Sequence, residues 1–458
     1  VWTLLTAALL GLSVVSCPRA HGGVAGADSP GGQGDGVGYE DEQVSTDELD
    51  AGGADVADSG LFEEERVGQL VALEGDPLGP FFDALARSEQ GEQDIVRILH
   101  WGDSHTAADF LTGEIRHALQ RRFGDGGHGF VLLGKPWKSY RPKDVRLGAS
   151  GQWSAERILI AADPATLDGR YGLGGVSVET EEKSASTSVA TVDSTGFNRV
   201  ASVFEVFYLE QPEGGSFRVL VDGEVRATVG TAASRQRTGF VGVEVDEGPH
   251  EFEVQAVGDG RVRLFGATIE NDGPGLVYDS LGVNGGFFHT PHRWDADLLA
   301  EQVARRDPDL LIAMYGTNEA DSRTIDEERY AEMVRRTLER FRAGAPGVSC
   351  MLFGPPDRRM RGDAGGEQTQ LDWIIDVQRE VAAEIGCAFL DLRELMGGSG
   401  SYDTWSGVTP RLAQGDGVHL TVQGYRVLGE RITGEILEAY ESYLAEVGHP
   451  LAAGGDDQ

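Results

Sequence analysis

Four short segments of this chain hold the residue types that nucleophilic acyl transfer needs. Gly102-Asp103-Ser104-His105 presents a hydroxyl where an apolar run, Ile95 to Trp101, gives way to a helical pattern from about Ala107 to Arg122. A serine is a poor nucleophile until a base takes its proton and an acid partner orients that base. Asp416-Gly417-Val418-His419 offers both partners, because a three-residue offset on a turn lets the carboxylate reach the imidazole. An acyl-transfer site also needs donors aimed at the developing oxyanion. The Asn318 amide in Tyr315-Gly316-Thr317-Asn318-Glu319 can supply one, and a backbone N–H of Gly285 or Gly286 in Gly282-Val283-Asn284-Gly285-Gly286 another. Each segment alone has a plainer use. Ser104 could simply cap a helix, Asp416 and Asn318 could close turns, and the glycines could be a flexible loop.

The elements around these segments place them at strand ends. Apolar runs at 95–101, 310–315, 348–353 and 388–391 read as strands. Periodic segments near 107–122, 326–343, 368–385 and 421–444 read as helices, and Leu78 to Leu85 as a shorter one. Apolar strands alternating with helices indicate a parallel sheet covered on both faces, with ligands at the carboxyl edge. The helix N-terminus after Ser104 also favours developing negative charge.

Residues 151–272 change period. Phe217, Val219 and Val221 alternate with polar neighbours up to an Asp222-Gly223 turn, and Val225 to Val229 returns. Phe252, Val254 and Ala256 alternate again before Gly258-Asp259-Gly260 and a strand-like run to Ile269. This predicts an antiparallel β-sandwich inserted between 61–150 and 273–445 of the α/β domain. It is placed to bind carbohydrate or to serve as a structural module. Trp137 and Trp153 near its start can stack on sugars or pack in a core.

The 458 residues carry a formal charge of -36, which excludes recognition of nucleic acid or an anionic membrane surface by charge. Trp2 to Val15 has the length and apolarity of an export signal, and Val14-Val15-Ser16-Cys17 resembles a bacterial lipobox. That resemblance implies lipid attachment at Cys17 and a periplasmic or cell-envelope location. Residues 18–60 are acidic and glycine-rich, a composition that cannot offset its ordering entropy, and are expected to be a disordered tether. Residues 446–458 are expected to be a flexible tail. Cys350 and Cys387 read as buried strand thiols rather than a disulfide scaffold, with a bridge between the two left open. No His, Cys or carboxylate spacing suggests a metal, and no cofactor is called for. His100 is expected in the sheet, and His105 is expected to point away from Ser104 and to pack or bond near the site. His289 and His292 are expected to line the cleft.

Taken together, the four segments resemble the blocks of the SGNH (GDSL-like) hydrolase superfamily, in the same order. The resemblance implies a three-layer α/β/α, flavodoxin-like fold. It implies Ser104 as nucleophile, Asp416 and His419 as its triad partners, and Ser104, Gly285 and Asn318 as oxyanion donors. The stretch Ile98 to Phe110, together with Tyr278 to Gly285 and Gly316 to Ala320, is similar to bacterial peptidoglycan O-acetylesterases. Glu319 stands where the superfamily usually has Asp. The similarity implies removal of C6 O-acetyl groups from N-acetylmuramoyl residues. Its rivals are a polysaccharide O-acetyltransferase with the same triad and a non-catalytic glycan-binding lipoprotein.

Overall fold

The computed structural model describes residues 70–71, 76–92, 95–138, 140–159, 167–322, 324–359 and 368–453. The expected export signal, Cys17 and the expected acidic tether lie outside them. The α/β part is organised by five parallel strands: β1 (Ile95–Gly102), β2 (Gly275–Gly282), β3 (Leu310–Met314), β4 (Ser349–Gly354) and β5 (Ala388–Asp391). Their spatial order is β2-β1-β3-β4-β5, with the two-residue strand Leu70–Val71 antiparallel to β5 at the edge. The order reverses between β1 and β3, and such a switch point opens a crevice at the carboxyl ends of the two strands.

Alternation along the strands sends side chains to two covered faces. Leu99, Trp101, Leu311, Ala313 and Leu352 pack against α3 (Ala296–Arg306), α4 (Glu327–Arg342) and α5 (Gln368–Ile385). Trp101 stacks on Phe341 of α4 at 4.1 Å between ring centres. Val96, Ile98, Ile312, Met351 and Phe353 pack against α1 (Gly79–Glu89), α2 (Phe110–Phe123) and α6 (Val422–Glu446). Strand β2 was not among the runs read as strands. Its apolar pattern is interrupted by Asp279, which is fully buried and paired with Arg306 of α3 at 2.8 Å.

Between α2 and β2 lie two antiparallel sheets. One runs Glu224–Gly230, Ser216–Val221, Glu251–Ala256, Ser186–Thr191, Val145–Ser150. The other runs Arg237–Gly248, Ala201–Glu210, Val262–Glu270, Val176–Thr180, Ser154–Arg157, and Gly127–Val131 also pairs with Val262–Glu270. Val221 pairs with Glu224, so Asp222-Gly223 is the expected hairpin turn. Inward residues of both sheets share one core, in which Phe204 and Phe252 stack at 4.9 Å. Antiparallel pairing starts upstream of residue 151, because Gly127–Val131 and Val145–Ser150 already take part. Buried ion pairs tie these sheets to the parallel one. Arg306 reaches Glu270 at 2.6 Å, and Arg116 of α2 reaches both Asp109 and Asp144.

Two sequence expectations are corrected. Cys350 and Cys387 are joined as a disulfide, with their Cα atoms 4.8 Å apart. Met351 pairs with Ala388 across β4 and β5, so the preceding residue on each strand also faces its counterpart, a register invisible in either strand alone. The C-terminal stretch from 446 is not wholly a tail. Helix α6 runs to Glu446, Pro450–Ala453 forms a 3₁₀ turn, and Leu451 packs on the core. Residues 454–458 are outside the described set.

Candidate active site

The site forms where β1 and β3 end. Strand β1 stops at Gly102, and Ser104–Ala107 makes a single helical turn. Asp103 caps that turn, its carboxylate accepting the His105 N–H at 3.0 Å, while its own N–H donates to the Met314 carbonyl at the end of β3. Asp103 is fully buried, and burial pushes its carboxyl up to about 6. The cap holds the strand-to-helix corner so that Ser104 emerges partly exposed at the sheet edge.

Ser104 Oγ lies 2.8 Å from His419 Nε2, and His419 Nδ1 lies 2.6 Å from Asp416 Oδ2. The turn that makes this possible needs Gly417, whose φ of +87° is in the left-handed region that other residues resist. Asp416 Oδ1 accepts the N–H groups of Val418 and His419 at 2.9 and 3.0 Å. Burial opposes ionisation of Asp416. The hydrogen bonds from His419 and from backbone N–H groups outweigh it and hold the carboxyl well below the usual carboxylate range. An ionised Asp416 fixes the tautomer that leaves His419 Nε2 free to accept the serine proton.

The two loops expected to hold oxyanion donors meet beside Ser104. Gly285 has φ +75°, and the Gly286 N–H donates to the Val283 carbonyl at 2.9 Å. That engagement favours Gly285 of the two as a donor. Asn318 Nδ2 donates to the Gly286 carbonyl at 2.8 Å, which uses one of its two N–H groups and leaves the amide able to offer the other. The His105, Thr106 and Ala107 N–H groups are taken by Asp103, whereas the Ser104 N–H, first in the turn, has no acceptor within it.

Three supporting residues had no sequence signal of their own. Glu319 was noted only as a departure from the superfamily pattern. It is fully buried, and its carboxyl accepts the Phe288 N–H at 2.7 Å and the Gly316 N–H at 3.1 Å, so it clamps one donor loop to the other. Burial, followed by the nearby Asp103 carboxyl, pushes Glu319 up to about 8 against the pull of those N–H groups. The Tyr402 hydroxyl sits 2.8 Å from the Gln414 carbonyl and 3.2 Å from Asp416 Oδ1, bracing the turn that carries the acid and the base. The Tyr425 hydroxyl sits 2.9 Å from His105 Nδ1. All three act across distant chain segments, and only the fold brings them there.

The remaining candidates divide. His105 is buried with its ring 5.4 Å from that of His419, and burial holds it well below the usual histidine range, so it supports the site as a neutral group. His100 is buried in the sheet against the Tyr278 hydroxyl at 2.8 Å. His289 and His292 line a pocket beside the Gly285 loop. Trp137 packs on Tyr140, and Trp153 donates its indole N–H to the Ser150 and Ser186 carbonyls. Both tryptophans are half-buried.

The chain is similar to several known proteins. The GDSL-like lipase/acylhydrolase family model matches residues 243–427, which hold every proposed site residue except Ser104. A solved structure titled as a peptidoglycan O-acetylesterase in action is 26% identical, with TM-score 0.66, over 79% of this chain and 96% of that one. A family two carbohydrate esterase from Clostridium thermocellum is 11% identical, over 64% of this chain and 97% of that one, with TM-score 0.28. No curated protein matches the sequence. The family match and the likeness to the O-acetylesterase make the chain similar to the SGNH (GDSL-like) hydrolases and support an esterase of that type. Within that class it resembles peptidoglycan O-acetylesterases.

Proposed function

We propose that the protein is an exported serine esterase that removes O-acetyl groups from peptidoglycan, at C6 of N-acetylmuramoyl residues. The observation that carries the reading is the continuous Ser104–His419–Asp416 hydrogen-bond chain beside the Gly285 and Asn318 loops. The extent of the likeness to a peptidoglycan O-acetylesterase supports the substrate. The Cys350–Cys387 disulfide supports export, because such bonds persist in oxidising compartments.

Ser104 Oγ attacks the acetyl carbonyl carbon as its proton passes to His419 Nε2, and Asp416 stabilises the imidazolium. The Ser104 and Gly285 N–H groups and the Asn318 amide hold the tetrahedral oxyanion. The bond to the sugar oxygen then breaks, and His419 returns the proton to that oxygen. Water, deprotonated by His419, attacks the acetyl-serine, and acetate leaves with Ser104 regenerated. The two antiparallel sheets are read as an inserted β-sandwich that presents the polymer to Ser104. Cys17, once lipidated, would anchor the protein to the membrane through the acidic tether.

The test is acetate release from O-acetylated peptidoglycan by wild type and Ser104→Ala, with acetylxylan and a soluble acetyl ester alongside. Ser104-dependent release strongest on peptidoglycan is expected. Stronger release from acetylxylan would overturn the substrate assignment, and release unaffected by Ser104→Ala would overturn the mechanism.

A further inference from the structure

A pocket of about 550 Å³ opens from the loops that follow the two proposed oxyanion donors. Phe287 stands two residues past Gly285 and Ser322 four past Asn318, and both line it. The opposite wall is one face of α4. Arg329, Glu332, Met333 and Arg336 follow at i, i+3, i+4 and i+7, the spacing that stacks side chains on a single helical face. The other face of α4 buries Tyr330, Val334, Leu338 and Phe341 in the core, so the pocket face is fixed in place.

The charge of this wall runs against that of the chain. The protein has a formal charge of -36. Yet among the described residues neither Arg329 nor Arg336 has a carboxylate in ion-pair distance, and Glu332, the acid between them, is engaged by Arg335 at 3.1 Å. His292 is held down to about 4, first by burial and then by Arg336 and Arg340. It therefore lines the pocket as a neutral hydrogen-bonding group. Two unneutralised guanidinium groups over apolar walls suit an anion carried on a partly apolar body.

We infer that this pocket is a subsite for a carboxylate of the acetylated glycan, held by Arg329 and Arg336 while Phe287, Ile325 and Met333 pack against the sugar or side chain that bears it. The inference rests on the peptidoglycan reading and sharpens it. A muramoyl residue presents a carboxylate on its lactyl group where no stem is attached, or on the peptide stem that amidates that group, whereas acetylated neutral glycans have none. Paired charged hydrogen bonds of this kind give specificity for the acidic polymer and seat its acetyl group at Ser104.

The experiment uses the full chain and compares wild type with R329A/R336A. Inhibition of soluble acetyl ester hydrolysis is measured with three unacetylated probes. These are glycan fragments with free lactyl carboxylates, fragments carrying peptide stems, and the same fragments with every carboxyl converted to a methyl amide. Wild type should be inhibited at least about tenfold more tightly by acidic than by amidated probes, the equivalent of about 1.4 kcal/mol. The variant should lose that preference. The readout is a ratio within one preparation, so a general loss of activity cancels. Tighter inhibition by the first probe identifies the lactyl group, and by the second the peptide stem. Equal inhibition by acidic and amidated probes in wild type, or a preference that survives in the variant, would overturn the subsite. A parallel assay of acetate release from O-acetylated peptidoglycan separates the two ideas. Release without the acid preference sinks only the subsite, and no release sinks the peptidoglycan reading and with it the subsite's assigned ligand.

Discussion

Asn318 has two jobs in the proposed site, and removing its amide should separate them. One N–H is tied to the Gly286 carbonyl at 2.8 Å, and the other is the proposed donor for the oxyanion. Asn318→Ala removes both. Loss of an oxyanion donor costs about 3–4 kcal/mol in the transition state, or roughly 10²–10³ in kcat. Loss of the neutral tether costs on the order of 1 kcal/mol of stability, because the Gly286 carbonyl loses its partner. In a chain of this length that lowers Tm by about 2 °C. The triad does not touch Asn318, so Ser104 should still react with a serine-directed phosphonate, more slowly than in wild type. Asn318→Asp sharpens the test, since a carboxylate faces both the Gly286 oxygen and the oxyanion as a like partner and should be at least as damaging. The assay is steady-state kcat and KM on a soluble acetyl ester, with thermal unfolding of the same samples. A fall in kcat of less than threefold in a protein of unchanged Tm would refute the assignment.

Other perturbations have equally definite outcomes. Asp416→Asn should lower kcat by about 10³–10⁴ with little change in KM, because the amide stabilises the wrong His419 tautomer. Asp416 titrates below its unfolded value, so its contribution to stability is present above the ordinary carboxylate range and fades as pH falls through the folded value. Denaturation midpoints should thus fall more steeply in acid for wild type than for Asp416→Asn. Glu319 has the opposite sign. Its carboxyl is raised from an ordinary 4.5 to about 8, so its contribution is full below 4.5 and lost as pH rises to 8. Glu319→Gln should flatten stability across that window, and it should lower kcat as well, since an amide N–H cannot accept the second backbone N–H. An unchanged slope would show that Glu319 is ionised in the fold. Cys350→Ala/Cys387→Ala opens a cross-link spanning 37 positions, which the chain-entropy estimate puts at about 4 kcal/mol. A midpoint in urea equal to that of wild type would count against the bond.

The candidate site was legible in the sequence because it is written in local patterns. A serine after an apolar strand, an acid three residues before a histidine on a glycine turn, and an asparagine at another strand end each depend on near neighbours. Alternating residues likewise marked Phe217 to Val229 as a hairpin, since side-chain period and turn chemistry are local properties. What the sequence left open depends on pairing between segments far apart in the chain. Register across β4 and β5 decides that Cys350 faces Cys387. A buried ion pair hides β2 by placing the charged Asp279 within its apolar run. Glu319, Tyr402 and the arginine face of α4 gain their meaning only from what lies opposite them. The residues able to do the chemistry were thus determined by the sequence alone, through short-range geometry. Which groups hold them in place, and what charge the neighbouring pocket presents to a substrate, were decided by the packing of the whole chain.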